Sequence, residues 1–210
     1  MERWTFGVEP LPQQLVVAPL LRRVASLVAA LEHDDPAVES LIADLRAAEE
    51  TLQWRVPVDA APRLGDATAG RVYLDHSRDI GAYNPCFPEY AITVAGDHAS
   101  GTVTFPLVFE GPPGVVHGGV LATFFDCVIQ HHNCEAGVAG KTTSLLVEFH
   151  RPTPVAAPLT YEIERATDKR RISSRAVLRA GEDALCTATM AAVAGDRSRL
   201  PAVAPRRTAP

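Results

Sequence analysis

The chain has 210 residues, 47% hydrophobic and 21% charged, enough for one domain with a substantial core or one domain plus a smaller appendage. Twenty Lys+Arg against 25 Asp+Glu leave a net charge of −5, which argues against a partner that is nucleic acid or an anionic membrane. No stretch reaches the roughly 18 uncharged apolar residues of a membrane span, and the N-terminus lacks a basic flank followed by an apolar core, so a cytoplasmic protein is expected.

Leu20, Leu21, Val24, Leu27, Val28 and Leu31 recur at three-to-four spacing and predict an amphipathic helix. Asp35 and Pro36 then open a second helix, as cap and first-turn residue, whose stripe of Val38, Leu41, Ile42, Leu45 and Leu52 runs to about Trp54. Both helices need an apolar partner. Residues 55–69, with Pro57, Pro62 and Gly65, read as a linker.

From Arg71 onward the period is two. Strands are expected over 90–94 and 102–109, with Pro106 marking an edge or a bulge in the second. Four more are expected over 144–150, 160–165, 171–179 and 184–193. Between the two groups, the turn Gly111–Gly114 leads into a helix reaching about Asn133, apolar nearly all round and so buried on most sides. Strands, one buried helix and more strands predict an α+β fold, an antiparallel sheet around a single helix. The tail from Gly195 to residue 210 is expected to be disordered.

The helix contains one carboxylate, Asp126, among apolar and small residues. Burying an ionised carboxylate without partners is costly, so Asp126 has either hydrogen-bond donors, with Thr123 and Gln130 at suitable spacing, or a chemical role. Gly118 and Gly119 follow His117 where the turn enters the helix. The first helix N–H groups lack internal partners and sit at the positive end of the dipole, and glycines let another molecule approach them. Fixed donors of this kind can stabilise an oxyanion. Eight residues separate Gly118 from Asp126, about 12 Å along one helix at 1.5 Å per residue, so the two cannot serve the same atom. If both act on one carbonyl, the donor belongs to one copy of the helix and the acid to another, related by a two-fold axis.

Glu110-Gly-Pro-Pro-Gly-Val-Val-His-Gly-Gly119, then Asp126, then Thr142-Thr-Ser-Leu-Leu-Val-Glu-Phe-His-Arg-Pro-Thr-Pro154, together with Asn84-Pro85, resemble the hotdog-fold acyl-CoA thioesterases of the phenylacetate-pathway, PaaI-like type. The resemblance divides the chain into an N-terminal helical pair and linker (1–69), absent from the basic domain, a hotdog domain (70–194) and the tail (195–210). It implies hydrolysis of an acyl thioester at a dimer interface, with dimers often pairing into tetramers, and needs neither metal nor cofactor. Carried over by position, the Gly118 N–H, with Gly119, polarises the thioester carbonyl. Asp126 of the other copy is the general base or nucleophile, Thr142 places the water or the acid, His117 orients the turn, and Asn84 is a second polar contact.

Phe124 and Phe125, with Val128, are expected around Asp126 and the acyl group, where apolar surroundings make a carboxylate a better base. His150-Arg151 and Lys169-Arg170-Arg171 are the basic groups best suited to the phosphates of coenzyme A. His131-His132 with Cys134 lack ligand geometry for a metal, and Cys86, Cys127, Cys134 and Cys186 read as buried free thiols. The alternative function is a non-catalytic acyl or coenzyme A binding module, which has no use for the carboxylate. A hydratase on the same fold would need a different His/Asp arrangement.

Overall fold

A computed structural model describes residues 3–208. Six antiparallel strands form one sheet: β1 (Tyr90–Ala95), β2 (His98–Val103), β3 (Gly140–Phe149), β4 (Leu159–Asp168), β5 (Arg171–Ala180) and β6 (Asp183–Ala194), in the spatial order β1-β2-β4-β5-β6-β3. The expected α+β hotdog architecture is present, and the helix α3 (Gly118–Glu135) lies against the sheet. Two further helices precede it, α1 (Pro12–Ala29) and α2 (Pro36–Leu52).

The sheet follows from the period-two pattern, with shifted boundaries. Gly96, at φ +64°, closes a two-residue turn between Ala95 and His98, so the second strand begins at His98 rather than 102. It ends at Val103, because Pro106 has no N–H for a ladder, and a 3-10 turn over Leu107–Phe109 replaces the expected strand end. β3 starts earlier than expected, at Gly140, where an added Cβ would meet the Val193 carbonyl oxygen at 2.1 Å. Close approach of backbone requires glycine there.

Phe124, Phe125, Val128 and Ile129 on one side of α3 are fully buried and anchor the core. The Phe124 ring meets Phe105 and Tyr161 edge-on, each at 5.3 Å between centroids. Gly101 makes room for Tyr161, whose hydroxyl donates to the Ala91 carbonyl at 2.8 Å. The opposite side of α3 is not apolar: Gly119 and Thr123 are exposed, and Asp126 and Gln130 half-buried.

The N-terminal helices are arranged differently from the expectation. α1 begins at Pro12, eight residues before the apolar stripe, and continues through Pro19, whose missing N–H falls opposite the exposed Leu15. Its buried residues are Ala18 and Arg22, while Leu20, Leu21, Leu27 and Val28 remain exposed. The Arg22 guanidinium, 2% exposed, donates to the carbonyls of Gly81 (2.5 Å) and Asn84 (2.8 Å) and fastens α1 to the segment before β1. α2 is capped as expected, Asp35 accepting from the Ala37 N–H at 2.8 Å, but it buries no residue.

The segment after β6 is ordered through residue 208, against the expectation of a free tail. Its prolines do not prevent backbone pairing: Val203 bridges Leu64, the Ala204 N–H donates to Arg63, and the arginines find carbonyls, Arg206 on Glu9 and Arg207 on Thr68, both at 2.7 Å. Among the described residues, no helix is long and apolar enough to cross a membrane.

Candidate active site

Asp126 sits on the side of α3 away from the core. A β-bulge between Thr142 and Ser144 accounts for its partner. Leu145 and Val147 pack on the core, so strict alternation would turn residue 143 toward the helix and residue 142 away. The extra residue reverses this, as bulges do when they re-aim a side chain. The Thr142 hydroxyl then donates to Asp126 Oδ1 at 2.8 Å, while the Gln130 amide donates to Thr142 Oγ1 at 2.9 Å. The result is a chain, Gln130 to Thr142 to Asp126, that fixes the carboxylate and orients the hydroxyl. Thr123, one of the two expected donors to Asp126, instead bonds back to the Gly119 carbonyl at 2.9 Å; Gln130, the other, reaches the acid only through Thr142.

At the other end of α3, His117 is the helix cap, its Nδ1 accepting from the Gly119 N–H at 3.0 Å. That use occupies the second glycine donor. The Gly118 N–H has no hydrogen-bond partner among the described residues. The preceding turn is held firmly: Glu110 accepts from the Gly114 N–H at 2.6 Å, His117 N–H donates to Phe109 and Val116 N–H to Thr153. A cleft opens there, lined by Pro112, Gly118, Phe149, His150 and Arg151. Phe149 lies over Gly118, where an added Cβ would stand 3.2 Å from the ring tip.

Asp126 and Thr142 thus meet directly, and His117, Gly118 and Gly119 form one turn. Asn84 joins neither group by any hydrogen bond: its side-chain oxygen accepts from the Cys86 N–H at 2.9 Å and shapes its own turn, while its carbonyl holds Arg22. Phe124 and Phe125 do not surround Asp126. They point the other way, because a residue one or two positions from Asp126 on a helix lies on a different face, and here that face meets the sheet. Their contribution is to the core rather than to an acyl site.

The two basic groups lie far apart within the protomer. Arg171 pairs with Val193, and Phe149, next to His150, pairs with Cys186, so seven residues of β6 separate the rows, about 23 Å at 3.3 Å per residue. Arg151 forms an ion pair with Asp183 at 3.0 Å, His150 Nε2 lies 3.0 Å from Thr187 Oγ1, and Arg170 donates to the Ala194 carbonyl at 3.2 Å. Lys169 occupies the hairpin tip at φ 52°.

His131 and His132 are buried among their own partners. Burial pushes both pKa values down; Tyr90 meets His131 Nδ1 at 2.8 Å and the Gly96 carbonyl meets His132 Nε2 at 3.0 Å. Cys134 and Cys186 are buried and Cys127 half-buried, but Cys86 is exposed, since it follows Pro85 on the turn surface. Burial, with a smaller contribution from the Asp126 carboxylate, pushes the Cys127 thiol up to about 12, so it remains protonated. Among the described residues no cluster of His, Cys, Asp or Glu has metal-binding geometry. Sequence reading missed Phe149 as the neighbour of Gly118, and only the i, i+4 spacing from Asp126 pointed to Gln130.

Residues 110–195 match the family described as the acyl-CoA thioesterase N-terminal domain. That span contains the His117 turn, Asp126 and Thr142. Together with β1 and β2, that span has the hotdog fold. A crystallised thioesterase superfamily protein is 27% identical, covers 91% of this chain and 96% of its own, and superposes with a TM-score of 0.70. Its coverage extends well beyond residues 110–195. Smaller neighbours cover about half of the chain: a hypothetical thioesterase of Streptococcus pneumoniae crystallised with coenzyme A (18% identity, 50% of this chain and 88% of its own, TM-score 0.48) and the E. coli PaaI protein of the phenylacetic acid degradation operon (15%, 51% and 80%, 0.48). A search of curated proteins finds no match.

Proposed function

We propose that the chain is a cytoplasmic acyl-CoA thioesterase of the PaaI-like type that acts as a homodimer, with two composite sites. The observation that carries this reading is the pairing of an acid held by a hydroxyl, Asp126 with Thr142, with an N–H at a helix N-terminus, that of Gly118, which has no partner among the described residues. About 12 Å of helix separates them in one protomer, so one thioester carbonyl can meet both only if a second α3 runs antiparallel to the first.

The surface left open fits that assembly. β3 is an edge strand whose Leu146 and Phe149 are 59% and 57% exposed, and unpaired edges of this kind invite a second strand. The polar side of α3 lies next to it. In the dimer the Gly118 N–H donates to the thioester oxygen and stabilises the charge that develops on it. Asp126 of the partner subunit removes a proton from water, which attacks the carbonyl carbon; the tetrahedral intermediate collapses and expels the coenzyme A thiolate, which takes up the proton. Thr142 of the same subunit positions the acid.

Two-fold symmetry also bears on the basic groups. The Gly118 cleft of one subunit, with His150 and Arg151, comes toward the Asp126 end of the other, where Lys169, Arg170 and Arg171 project, so both can meet coenzyme A phosphates at one site.

The test is thiol release from a panel of acyl-CoA esters. Wild type releases thiol, and Asp126→Asn lowers kcat at least about a hundredfold while remaining folded, since general-base help is worth roughly 10²–10⁴-fold. Turnover near wild type in that variant removes Asp126 from the reaction, and no release from any ester leaves an acyl-binding module.

A further inference from the structure

A second cavity, of about 430 Å³, lies at the C-terminal end of α3. One end of it is polar and consists of Gln130 and Thr142, the two side chains that hold Asp126. The rest is largely apolar and aromatic: Trp4, Phe6, Tyr73, Cys134 and Leu200. Trp4, Phe6 and Leu200 belong to segments outside the sheet, one before α1 and one after β6.

Those segments are fastened in place. The Trp4 N–H donates to the Cys134 carbonyl and the Val8 N–H to Tyr73, both at 2.9 Å. The buried Asp75 carboxylate accepts from the N–H groups of Phe6 (3.2 Å) and Ser77 (3.0 Å). The Phe6 and Tyr73 rings meet at 5.5 Å, and the Arg197 guanidinium, from the segment after β6, lies 4.7 Å over the Trp4 ring. The walls are therefore a built strap across the end of α3.

Among the described residues that line the cavity, the titratable groups other than Lys141 are uncharged. Burial holds His76 below its ordinary value, so it is neutral at neutral pH, and pushes the Cys134 thiol up to about 12. Lys141, the one charged residue among the described lining residues, is exposed. The Ser77 hydroxyl, on the wall, is buried without a hydrogen-bond partner. A charged group would enter such a space at high cost, whereas an apolar one gains by burial.

We propose that this cavity is the acyl pocket, receiving an uncharged, apolar acyl group longer than two carbons, and that Trp4, Phe6 and Leu200 on the terminal segments set its size. The inference rests on the thioesterase reading, because the thioester carbon must sit at the Asp126 end. It assigns the setting of pocket size to residues outside the matched span, while Gln130, Cys134, Ala139, Gly140 and Thr142 within that span complete the lining.

Trp4 reports on the pocket directly. The sequence has two tryptophans, and Trp54 is exposed in α2's trailing turn, so Trp54→Phe leaves Trp4 as the single emitter. S-hexyl-coenzyme A, a thioether that cannot be hydrolysed, is expected to shift and quench Trp4 emission saturably, while coenzyme A alone does not. In parallel, Leu200→Trp narrows the pocket and lowers kcat/KM for hexanoyl-CoA at least tenfold relative to acetyl-CoA, since each methylene in an apolar pocket carries a sizeable factor. Identical Trp4 spectra with both ligands and an unchanged hexanoyl-to-acetyl ratio overturn the proposal, even if hexanoyl-CoA is hydrolysed. A Trp4 response to the thioether without hydrolysis of any ester upholds the pocket and removes the enzymatic reading.

Discussion

Replacing Thr142 by valine removes one donor and keeps the shape of the side chain. Thr142 donates to the Asp126 carboxylate at 2.8 Å and accepts from Gln130 at 2.9 Å. A hydrogen bond to a charged group contributes about 1.5–3 kcal/mol, and the exposure of Thr142 puts it at the lower end. About 1.4 kcal/mol corresponds to a tenfold change in rate, so Thr142→Val should lower kcat by about tenfold. Because the hydroxyl acts through the acid, the loss should vanish once the acid is gone: Asp126→Asn/Thr142→Val should turn over within about twofold of Asp126→Asn alone. Thr142→Ser, which keeps the hydroxyl, should recover most of the rate. Thiol release from one acyl-CoA ester, measured for all four variants and wild type, gives the cycle. Penalties that multiply in the double variant would show that Thr142 contributes to the reaction independently of Asp126, and the positioning role would be refuted.

Gly118→Ala keeps the donor N–H but sets a methyl 3.2 Å from the Phe149 ring tip, in the approach to the oxyanion site. The exposed ring can give way, so the thermal midpoint should hold while kcat/KM falls at least about tenfold; a variant as active as wild type would move the oxyanion site elsewhere. Leu146→Glu puts a charge on the open face of the β3 edge strand, and light scattering should show the dimer mass reduced to that of a protomer. A wild-type chain that already scatters as a protomer would refute the composite site. His132 is neutral in the fold because burial lowers its pKa, whereas in the unfolded chain it takes a proton near 6.5. The unfolded state thus binds more protons below that pH, and this contribution to stability is complete above about 6.5 and lost as the pH falls toward the folded value. The thermal midpoint should drop between pH 7.5 and 5.5, and His132→Gln, which keeps a donor for the Gly96 carbonyl, should flatten that drop.

The legible parts of the sequence were those fixed by local chemistry. Asp35-Pro36 announced a helix start, and the switch from 3.6- to 2-residue period the sheet. The acid was found because a lone carboxylate in an apolar helix requires an explanation. What was not legible depends on rotation and register. Phe124 and Asp126 are two positions apart, and only the packing of α3 decides which one meets the core. The bulge that turns Thr142 toward the acid has no sequence mark beyond Thr-Thr-Ser, and Phe149 reaches Gly118 from the far end of the same strand. The tail misled because its prolines and arginines are the composition of disorder, yet backbone carbonyls of distant segments satisfy those arginines.

That tail has a consequence for the order in which the molecule is completed. During synthesis the sheet and α3 can assemble as soon as residue 194 has left the ribosome, but the stacking of Arg197 on Trp4 and the pairing of Val203 with Leu64 must wait for the stretch that follows. Trp4 thus precedes every strand of the sheet in the chain, yet is among the last side chains to be enclosed. A nascent chain stalled near residue 195 would display a finished sheet beside an unroofed hollow, an intermediate that an antibody against the Trp4 segment could capture.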